Sequence, residues 1–136
     1  MLSNQEATKY LEQGIKLHQG GKILEAKNYF ITATQLMPNN ASPWNNLGVT
    51  HKAIGNIHDA QLCFEKAIEL EPSHSNAHIN LGNIFTYSGD YTRAIHSYKS
   101  GVLLDPNNSE AWCNLSVCLK EHTLYSDAIN AAWRAH

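Results

Sequence analysis

One stretch of the chain, residues 42–72, decides the fold: it reads SPWNNLGVTHKAIGNIHDAQLCFEKAIELEP. Residues 76–106 lie 34 positions further on and repeat the same plan as NAHINLGNIFTYSGDYTRAIHSYKSGVLLDP. Both stretches keep a glycine, an alanine, an aromatic residue and a closing proline at matching places. Several residue types that share one period indicate an array of one repeated supersecondary unit.

The 34-residue period extends over most of the chain. Its recurring sets are Pro38, Pro72 and Pro106; Gly14, Gly48 and Gly82; Ala26, Ala60, Ala94 and Ala128; Phe30, Phe64 and Tyr98; and Tyr10, Trp44, His78 and Trp112. A unit of this length cannot bury its apolar face alone, so about three units must stack. The period predicts repeats at about 7–40, 41–74, 75–108 and 109–136, in a single domain spanning 1–136.

Each unit is predicted to form two antiparallel helices. In the second unit, Ser42-Pro43 offers an N-cap followed by a first-turn proline, and apolar residues then follow at helical spacing. Gly55-Asn56 is expected to break this helix, with Asn56 placed to cap the next one. Pro72 then closes the unit.

Small residues are expected where the two helices of a unit approach closely. Gly48 is predicted at this contact with Ala60 on the facing side, because a larger side chain there would overpack it. Phe64 and Tyr98 are predicted to fill the space between neighbouring units.

The fourth unit departs from this pattern. Ser116 replaces the glycine, Thr123 the breaker and Ala132 the aromatic residue. A last helix is still predicted from about Tyr125 to His136, with Trp133 among its apolar residues. Solenoids usually end in a helix with a polar outer face. This helix is therefore expected either to be the cap or to belong to an array that was cut, and the second is favoured.

Together these residues resemble the tetratricopeptide-repeat family over nearly the whole chain. The matching residues are Trp44, Leu47, Gly48, Ala60, Phe64, Ala67 and Pro72, then Leu81, Gly82, Phe85, Ala94, Tyr98 and Pro106. The resemblance implies an all-α fold, a right-handed α-solenoid of antiparallel helix pairs with three full repeats and a partial or capping fourth. It also implies a non-enzymatic scaffold for a protein or peptide partner. The first unit departs from the pattern, with Gln13 in the place of Leu47 and Leu81.

Composition excludes several classes of function. Ten basic and twelve acidic residues give a formal charge of −2, so neither nucleic acid nor a membrane surface is a predicted partner. No apolar run is long enough to span a membrane. The three cysteines, Cys63, Cys113 and Cys118, have no metal-type spacing and favour a reducing, cytoplasmic compartment. No phosphate loop, nucleophile elbow or zinc pattern occurs, so no cofactor, metal or catalytic residue is predicted.

The cysteines and histidines carry the remaining reactive side chains that bear on function. Cys113 and Cys118 are interpreted as buried thiols that act as small apolar groups. His74 and His78 could share a metal ion, but no third ligand lies near them in sequence. The 8 histidines would move the net charge from −2 to +6 when protonated, which predicts pH-sensitive binding.

In a tetratricopeptide array, the first helix of each unit lines the concave side. The residues predicted to face this groove are Thr8, Leu11, Ile15 and His18 in the first unit; Ser42, Asn45, Asn46, Val49 and Lys52 in the second; Asn76, Ile79, Asn80, Asn83 and Tyr87 in the third; and Glu110, Cys113, Asn114, Val117 and Lys120 in the fourth.

An asparagine recurs at one place in three successive units, as Asn46, Asn80 and Asn114. Its amide offers a donor and an acceptor that match the N–H and C=O of an extended peptide backbone. This row resembles the asparagine ladder in the superhelix of O-linked N-acetylglucosamine transferase, although Glu12 interrupts it in the first unit. The alternative is that these amides satisfy local backbone groups or tolerate solvent.

Three functions stay open. The first is a scaffold that binds an extended peptide or a partner protein in the groove. The second is a structural solenoid that self-associates through its terminal repeats. The third is a substrate-recognition fragment of a larger enzyme such as a glycosyltransferase. A carboxylate clamp of the chaperone-binding kind fits poorly, because Leu11, Ile15 and Glu110 occupy places that need basic or amide side chains. RNA recognition also fits poorly, because the groove is close to neutral.

Overall fold

A computed structural model describes residues 4–134, and every regular element in that range is a helix. In chain order the helices are α1 (Asn4–Gln19), α2 (Ile23–Leu36), α3 (Ala41–Ala53), α4 (Ile57–Leu70), α5 (Ser75–Tyr87), α6 (Tyr91–Leu104) and α7 (Ser109–Arg134). The predicted all-α class is confirmed. The chain divides into two compact units, Met1–Ala77 and His78–His136. Within residues 4–134, no helix is both long and apolar enough to cross a membrane.

Glycine makes the turn between the two helices of each pair. Gly21, Gly55 and Gly89 have φ values of +79°, +86° and +77°. A residue with a Cβ atom avoids this left-handed region, at a cost of roughly 1–2 kcal/mol. The predicted breaks at Gly55 and Gly89 are therefore real turns.

The corresponding turn is missing from the fourth unit. Thr123 lies 34 residues after Gly89, and its β-branched side chain is poorly suited to a positive φ. The chain consequently stays helical, and α7 runs for 26 residues without a break. The prediction of a separate last helix from about Tyr125 is wrong. Residues 135 and 136 lie outside the described part of the chain.

The start of α3 also differs from the prediction. Asn40, not Ser42, is the N-cap: its Oδ1 accepts a hydrogen bond from the Ser42 backbone N–H at 3.0 Å. Pro43 does lie in the first turn, where a missing N–H costs no helical bond. Asn56 occupies the N-cap position of α4, but its side chain makes no capping bond.

Within Met1–Ala77, α1 packs on α2, α3 on α4, and α2 on α3. An ideal Cβ on Gly48 would lie 2.6 Å from Cε1 of Phe64, and Gly14 has the same relationship with Phe30. The close approach at Gly48 is confirmed. Its nearest neighbour, however, is the Phe64 ring, not Ala60, so Phe64 packs inside its own helix pair.

A tryptophan near the start of α3 and another near the start of α7 each bond the proline that precedes the helix. Trp44 Nε1 donates a hydrogen bond to the Pro38 carbonyl oxygen at 3.1 Å. Trp112 Nε1 does the same to the Pro106 carbonyl oxygen at 2.8 Å. This pair of contacts explains why an aromatic residue and a proline share the 34-residue period.

Within His78–His136, α5 packs on α6 and α6 on α7. Tyr98 covers Gly82 as Phe64 covers Gly48, and Ile79 lies 2.6 Å from an ideal Cβ on Gly101. The core of this unit consists of Ile79, Phe85, Ala94, Tyr98, Val102, Ala111, Leu115 and Cys118. These contacts place one face of α5 and one face of α7 against α6.

The start of α6 is held by an ion pair. Asp90 Oδ1 accepts from the Arg93 backbone N–H at 3.1 Å, and Asp90 Oδ2 lies 2.6 Å from Arg93 Nε. These hydrogen bonds lower the pKa of Asp90. The Arg93 guanidinium also lies 4.5 Å from the centre of the Phe85 ring, so one side chain joins the cap of α6 to α5.

Candidate functional site

Most of the predicted groove residues keep some solvent exposure. In Met1–Ala77 these are Thr8, Leu11, Ile15, His18, Ser42, Asn46, Val49, Lys52 and Asn76. In His78–His136 they are Asn80, Asn83, Tyr87, Glu110, Cys113, Asn114, Val117 and Lys120.

Two predicted groove residues are buried instead. Asn45 is 8% exposed and Ile79 is 7% exposed. Ile79 packs on the backbone of α6 at Gly101, where the absence of a side chain lets it come close. The prediction that these two side chains face the groove is therefore wrong. Both are buried, and Ile79 packs between α5 and α6.

In Met1–Ala77, four predicted groove residues meet at a cavity of about 180 Å³. Ile15 and His18 come from α1, Asn46 and Val49 from α3, and the remaining lining residues are Gln19 and Phe30. His18 Nε2 is buried and has no hydrogen-bond partner among residues 4–134. Because a buried polar atom usually has a partner, this nitrogen is a candidate for contact with a bound group.

Asn46 is the polar residue that α3 contributes to this cavity. Its backbone carbonyl accepts a hydrogen bond from Thr50 Oγ1 at 3.0 Å, within the helix. Its side-chain amide bonds no group in the described part of the chain. At Asn46 the amide therefore does not satisfy a local backbone group, and the other alternative, that it tolerates solvent, stays open.

In His78–His136, a hydrogen-bond network joins all three helices. The Tyr98 hydroxyl on α6 donates to Asn83 Oδ1 on α5. Asn114 Nδ2 on α7 donates to the same oxygen at 3.3 Å. Burial raises the pKa of Tyr98. The phenol is therefore protonated at neutral pH and serves as a donor.

This network fixes the amide of Asn114. Asn83 Oδ1 has two lone pairs, and Tyr98 and Asn114 occupy both. Asn114 keeps a second N–H and its Oδ1, and neither bonds a group between residues 4 and 134. The side chain thus presents one donor and one acceptor in a set direction, which is the pair that a peptide backbone requires.

Thr86 extends the network toward the core, and sequence reasoning missed it. Thr86 Oγ1 lies 3.2 Å from the Tyr98 hydroxyl and 3.2 Å from Cys118 Sγ. A signal was present in the sequence: the apolar pair Val49 and Phe64 becomes the polar pair Asn83 and Tyr98 one period later. Two apolar positions that turn polar together indicate a hydrogen bond.

The cysteines differ in their environment. Cys63 and Cys118 are buried, and burial raises the pKa of Cys63 to about 11. Cys113 is exposed, so the prediction of a buried thiol is wrong for this residue.

His74 has a structural role at the start of α5. Its Nδ1 accepts a hydrogen bond from the Ala77 backbone N–H at 3.1 Å. No group of three or more metal-binding side chains occurs in residues 4–134.

A larger cavity, about 670 Å³, lies in Met1–Ala77 around the connection between α2 and α3. Thr8 and Ser42 are the predicted groove residues at its edge, and the loop residues 37–40 form much of its lining. It offers neither an unpartnered buried group nor a fixed amide, so the smaller cavity at His18 and Asn46 is the better candidate.

Family models match three overlapping parts of the chain. Tetratricopeptide-repeat models match residues 41–74 and residues 63–96, and a further TPR repeat model matches residues 82–119. Together these matches run from residue 41 to residue 119, more than half of the 136 residues. No curated protein sequence matches the chain.

Solved structures with the same fold agree with the family models. The first TPR domain of Spaghetti (RPAP3), bound to an HSP90 peptide, has a TM-score of 0.85 and 22% identity, covering 90% of this chain and 97% of its own. The TPR domain of Arabidopsis OM64 gives 0.81 and 19%, with 85% and 96% covered. A mutant O-GlcNAc transferase of Thermobaculum terrenum gives 0.81 and 26%, with 88% of this chain but only 23% of that chain covered.

The repeat models and the structure agree. Residues 41–74 contain the α3–α4 pair with the turn at Gly55, and residues 82–119 contain the turn at Gly89 and Tyr98, which covers Gly82. The chain belongs to the tetratricopeptide-repeat family.

Proposed function

We propose that this chain is a non-enzymatic scaffold that binds an extended segment of a partner protein against the first helices of its repeats. Tetratricopeptide repeats generally serve protein interaction, and the RPAP3 domain, at 22% identity, is bound to a peptide. That likeness supports the fold. The partner-binding chemistry has to come from this chain's own side chains.

The proposal rests on the hydrogen bond from Asn114 Nδ2 to Asn83 Oδ1. Because Tyr98 and Asn83 hold the Asn114 amide in place before a ligand arrives, little side-chain entropy is lost on binding. Asn46 has an amide at the corresponding position of α3, at the edge of the cavity that contains His18. A peptide backbone can pair with each amide, while the cavity accepts one side chain.

The expected affinity follows from the number of such bonds. Each hydrogen bond contributes a net ~0.5–1.5 kcal/mol. Bidentate pairing at one such amide, Asn46 or Asn114, would then supply ~1–3 kcal/mol of the ~8 kcal/mol that a micromolar complex requires. Side-chain contacts must supply the remainder, and the cavity beside His18 is the place for one of them.

The experiment measures peptide binding by each unit's amides separately. An array of extended peptides identifies a ligand, and calorimetry compares the wild type with Asn46→Ala and with Asn80→Ala/Asn114→Ala. Each variant is expected to weaken binding by about fivefold or more, since one bidentate pair is lost per residue. Asn28→Ala, an exposed asparagine on α2, is the matched control and is expected to bind as the wild type does. Unchanged affinity in both test variants, with circular dichroism unchanged, would overturn the proposal.

A second candidate function is substrate recognition within a larger glycosyltransferase. The O-GlcNAc transferase match, at 26% identity, supports this candidate, together with the asparagine row. Reading the coding sequence beyond His136 tests it. A glycosyltransferase domain there supports the candidate, and a coding sequence without one removes it.

A further inference from the structure

The second half of α7 carries apolar side chains that the described residues leave uncovered. The exposed fractions are 43% for Leu119, 54% for Leu124, 64% for Tyr125, 40% for Ile129 and 77% for Trp133. Tyr125, Ile129 and Trp133 follow one another at intervals of four, so they form a stripe on one face of the helix. A contiguous apolar stripe of this kind marks an interaction surface.

The same segment carries the pattern of a second repeat helix. Ala128 and Ala132 lie 34 residues after Ala94 and Tyr98. Ala94 is 0% exposed and Tyr98 is 1% exposed, because each packs within a helix pair. Ala128 and Ala132 are both exposed on α7. Residues 125–134 thus have the sequence of a packed helix but lack the neighbour that such a helix has in the other repeats.

The chain's own α7 does not supply that neighbour. To fold back, residues 125–134 would need the turn that Gly21, Gly55 and Gly89 make at positive φ. Thr123 holds this position and stays helical. α7 therefore contains the sequences of both helices of a fourth pair, joined without a turn.

We infer that α7 pairs with α7 of a second copy of this chain, in an antiparallel exchange. Residues 125–134 of each copy cover residues 109–122 of the other and take the place of the second helix of a fourth repeat. Such an exchange uses one surface twice about a twofold axis, so it closes as a dimer. This inference goes beyond the proposed peptide scaffold. Asn114 also lies on α7, but the exchange covers the Ser116 and Leu119 face, and residues two positions apart lie on roughly opposite sides of a helix.

The existing helix pairs set the register of the exchange. Gly14 meets Phe30, Gly48 meets Phe64, and Gly82 meets Tyr98. One period after Gly82 and Tyr98, the same pairing brings Ser116 of one copy against Ala132 of the other. Three residues inward on each helix, Leu119 then faces Ile129, so two exposed aliphatic side chains cover each other.

The repeat register defines the face of residues 125–134 that the exchange covers. Ala128, Ala131 and Ala132 correspond to the buried Ala94, Ser97 and Tyr98, and Ile129 corresponds to the partly buried Ile95. Trp133 corresponds to the exposed Lys99 and lies outside this contact.

Light scattering coupled to gel filtration tests the dimer. We expect the full chain to have twice its 15.2 kDa mass at high concentration and to dissociate on dilution. Ile129→Asp/Ala132→Asp is expected to be monomeric, with its helix content preserved. Thr123→Gly/Leu124→Asn restores the sequence of a repeat turn, and we expect this variant to close on itself as a monomer too. A wild type that is monomeric at every concentration would overturn the inference.

A disulfide cross-link tests the exchange itself. Ser116→Cys/Ala132→Cys, made with Cys113→Ser, is expected to oxidise to a covalent dimer on a non-reducing gel. The same pair in the Thr123→Gly/Leu124→Asn background is expected to close within one chain, which is the matched control. A cross-link within one chain when Thr123 is present shows that α7 folds back and overturns the exchange. A dimer that persists after Ile129→Asp/Ala132→Asp and does not cross-link overturns the proposed surface.

Discussion

Gly48 and Phe64 are in contact across the α3–α4 pair, with 2.6 Å between an ideal Cβ on Gly48 and Cε1 of Phe64. Gly14 with Phe30 and Gly82 with Tyr98 repeat this relationship. Since the ring lies where a side chain would have to go, each first helix needs a glycine because its own second helix carries an aromatic residue. The glycine and the aromatic residue of one pair must therefore occur together.

The first prediction concerns this contact. Gly48→Ala is expected to destabilise the protein by about 1–3 kcal/mol, because the added methyl group overlaps a buried ring that cannot move away. Chemical denaturation measures the loss. Gly20→Ala is the control, since its added Cβ would be 3.4 Å from its nearest neighbour. Phe64→Leu should relieve part of the cost in the double variant, and strictly additive losses would argue against a direct overlap.

A second prediction separates backbone strain from packing. Gly89→Ala is expected to cost roughly 1–2 kcal/mol although no atom lies within 4 Å of its added Cβ. The cost arises from the φ of +77° alone. Gly89→Asn should cost less, because asparagine tolerates the left-handed region better. Thermal denaturation of both variants checks the order, and equal losses would contradict this account.

The third prediction addresses the hydrogen-bond network in His78–His136. Tyr98→Phe is expected to cost about 1 kcal/mol, because Asn83 Oδ1 loses one of its two donors while the ring still covers Gly82. Tyr87→Phe, at a residue that is 74% exposed, is the control and should change stability by less than about 0.5 kcal/mol. Equal free energies of unfolding for the two variants would show that the network adds nothing to stability.

The fourth prediction is a pH dependence at His51. Burial lowers the pKa of His51, and Lys27 lowers it further, while Asp59 partly opposes the shift. The unfolded chain therefore binds a proton at a higher pH than the folded chain does. Stability should fall as the pH drops below about 6.5 and level off once the folded His51 also protonates. His51→Gln should reduce this fall, as measured by denaturation at several pH values.

The control for His51 is His96, which is exposed on α6. His96→Gln should leave the pH dependence of stability close to that of the wild type. If His51→Gln and the wild type lose the same stability between neutral and acidic pH, the burial of His51 is not its cause.

The fifth prediction concerns thiol reactivity. Cys113 is exposed, whereas Cys63 and Cys118 are buried, and the pKa of Cys63 is raised to about 11. Because the thiolate is the reactive form, one thiol per chain should react quickly with a thiol reagent in the native state. Cys113→Ser should abolish this fast phase. Rapid reaction of a second thiol would show that one of the buried sites opens readily.

The helix pairs could be predicted from sequence because their signals are local. Gly55 and Gly89 mark turns through a backbone conformation that other residues avoid, and one period of 34 residues links them. At Thr123 two signals conflict, because the repeat pattern predicts a turn whereas a β-branched residue avoids a positive φ. The conformational preference of this one residue prevails, and α7 continues through it.

The family, the helices through α6 and the asparagine row follow from the amino-acid sequence, because period and turn chemistry are properties of neighbouring residues. The contact of Phe64 with Gly48 and the burial of Ile79 depend on packing between helices. The same holds for the hydrogen bonds of Asn83 with Tyr98, 15 residues away, and with Asn114, 31 residues away. Spacing along a helix fixes which face a residue lies on, whereas a hydrogen bond between helices depends on how closely their backbones approach, and the glycines and rings set that distance.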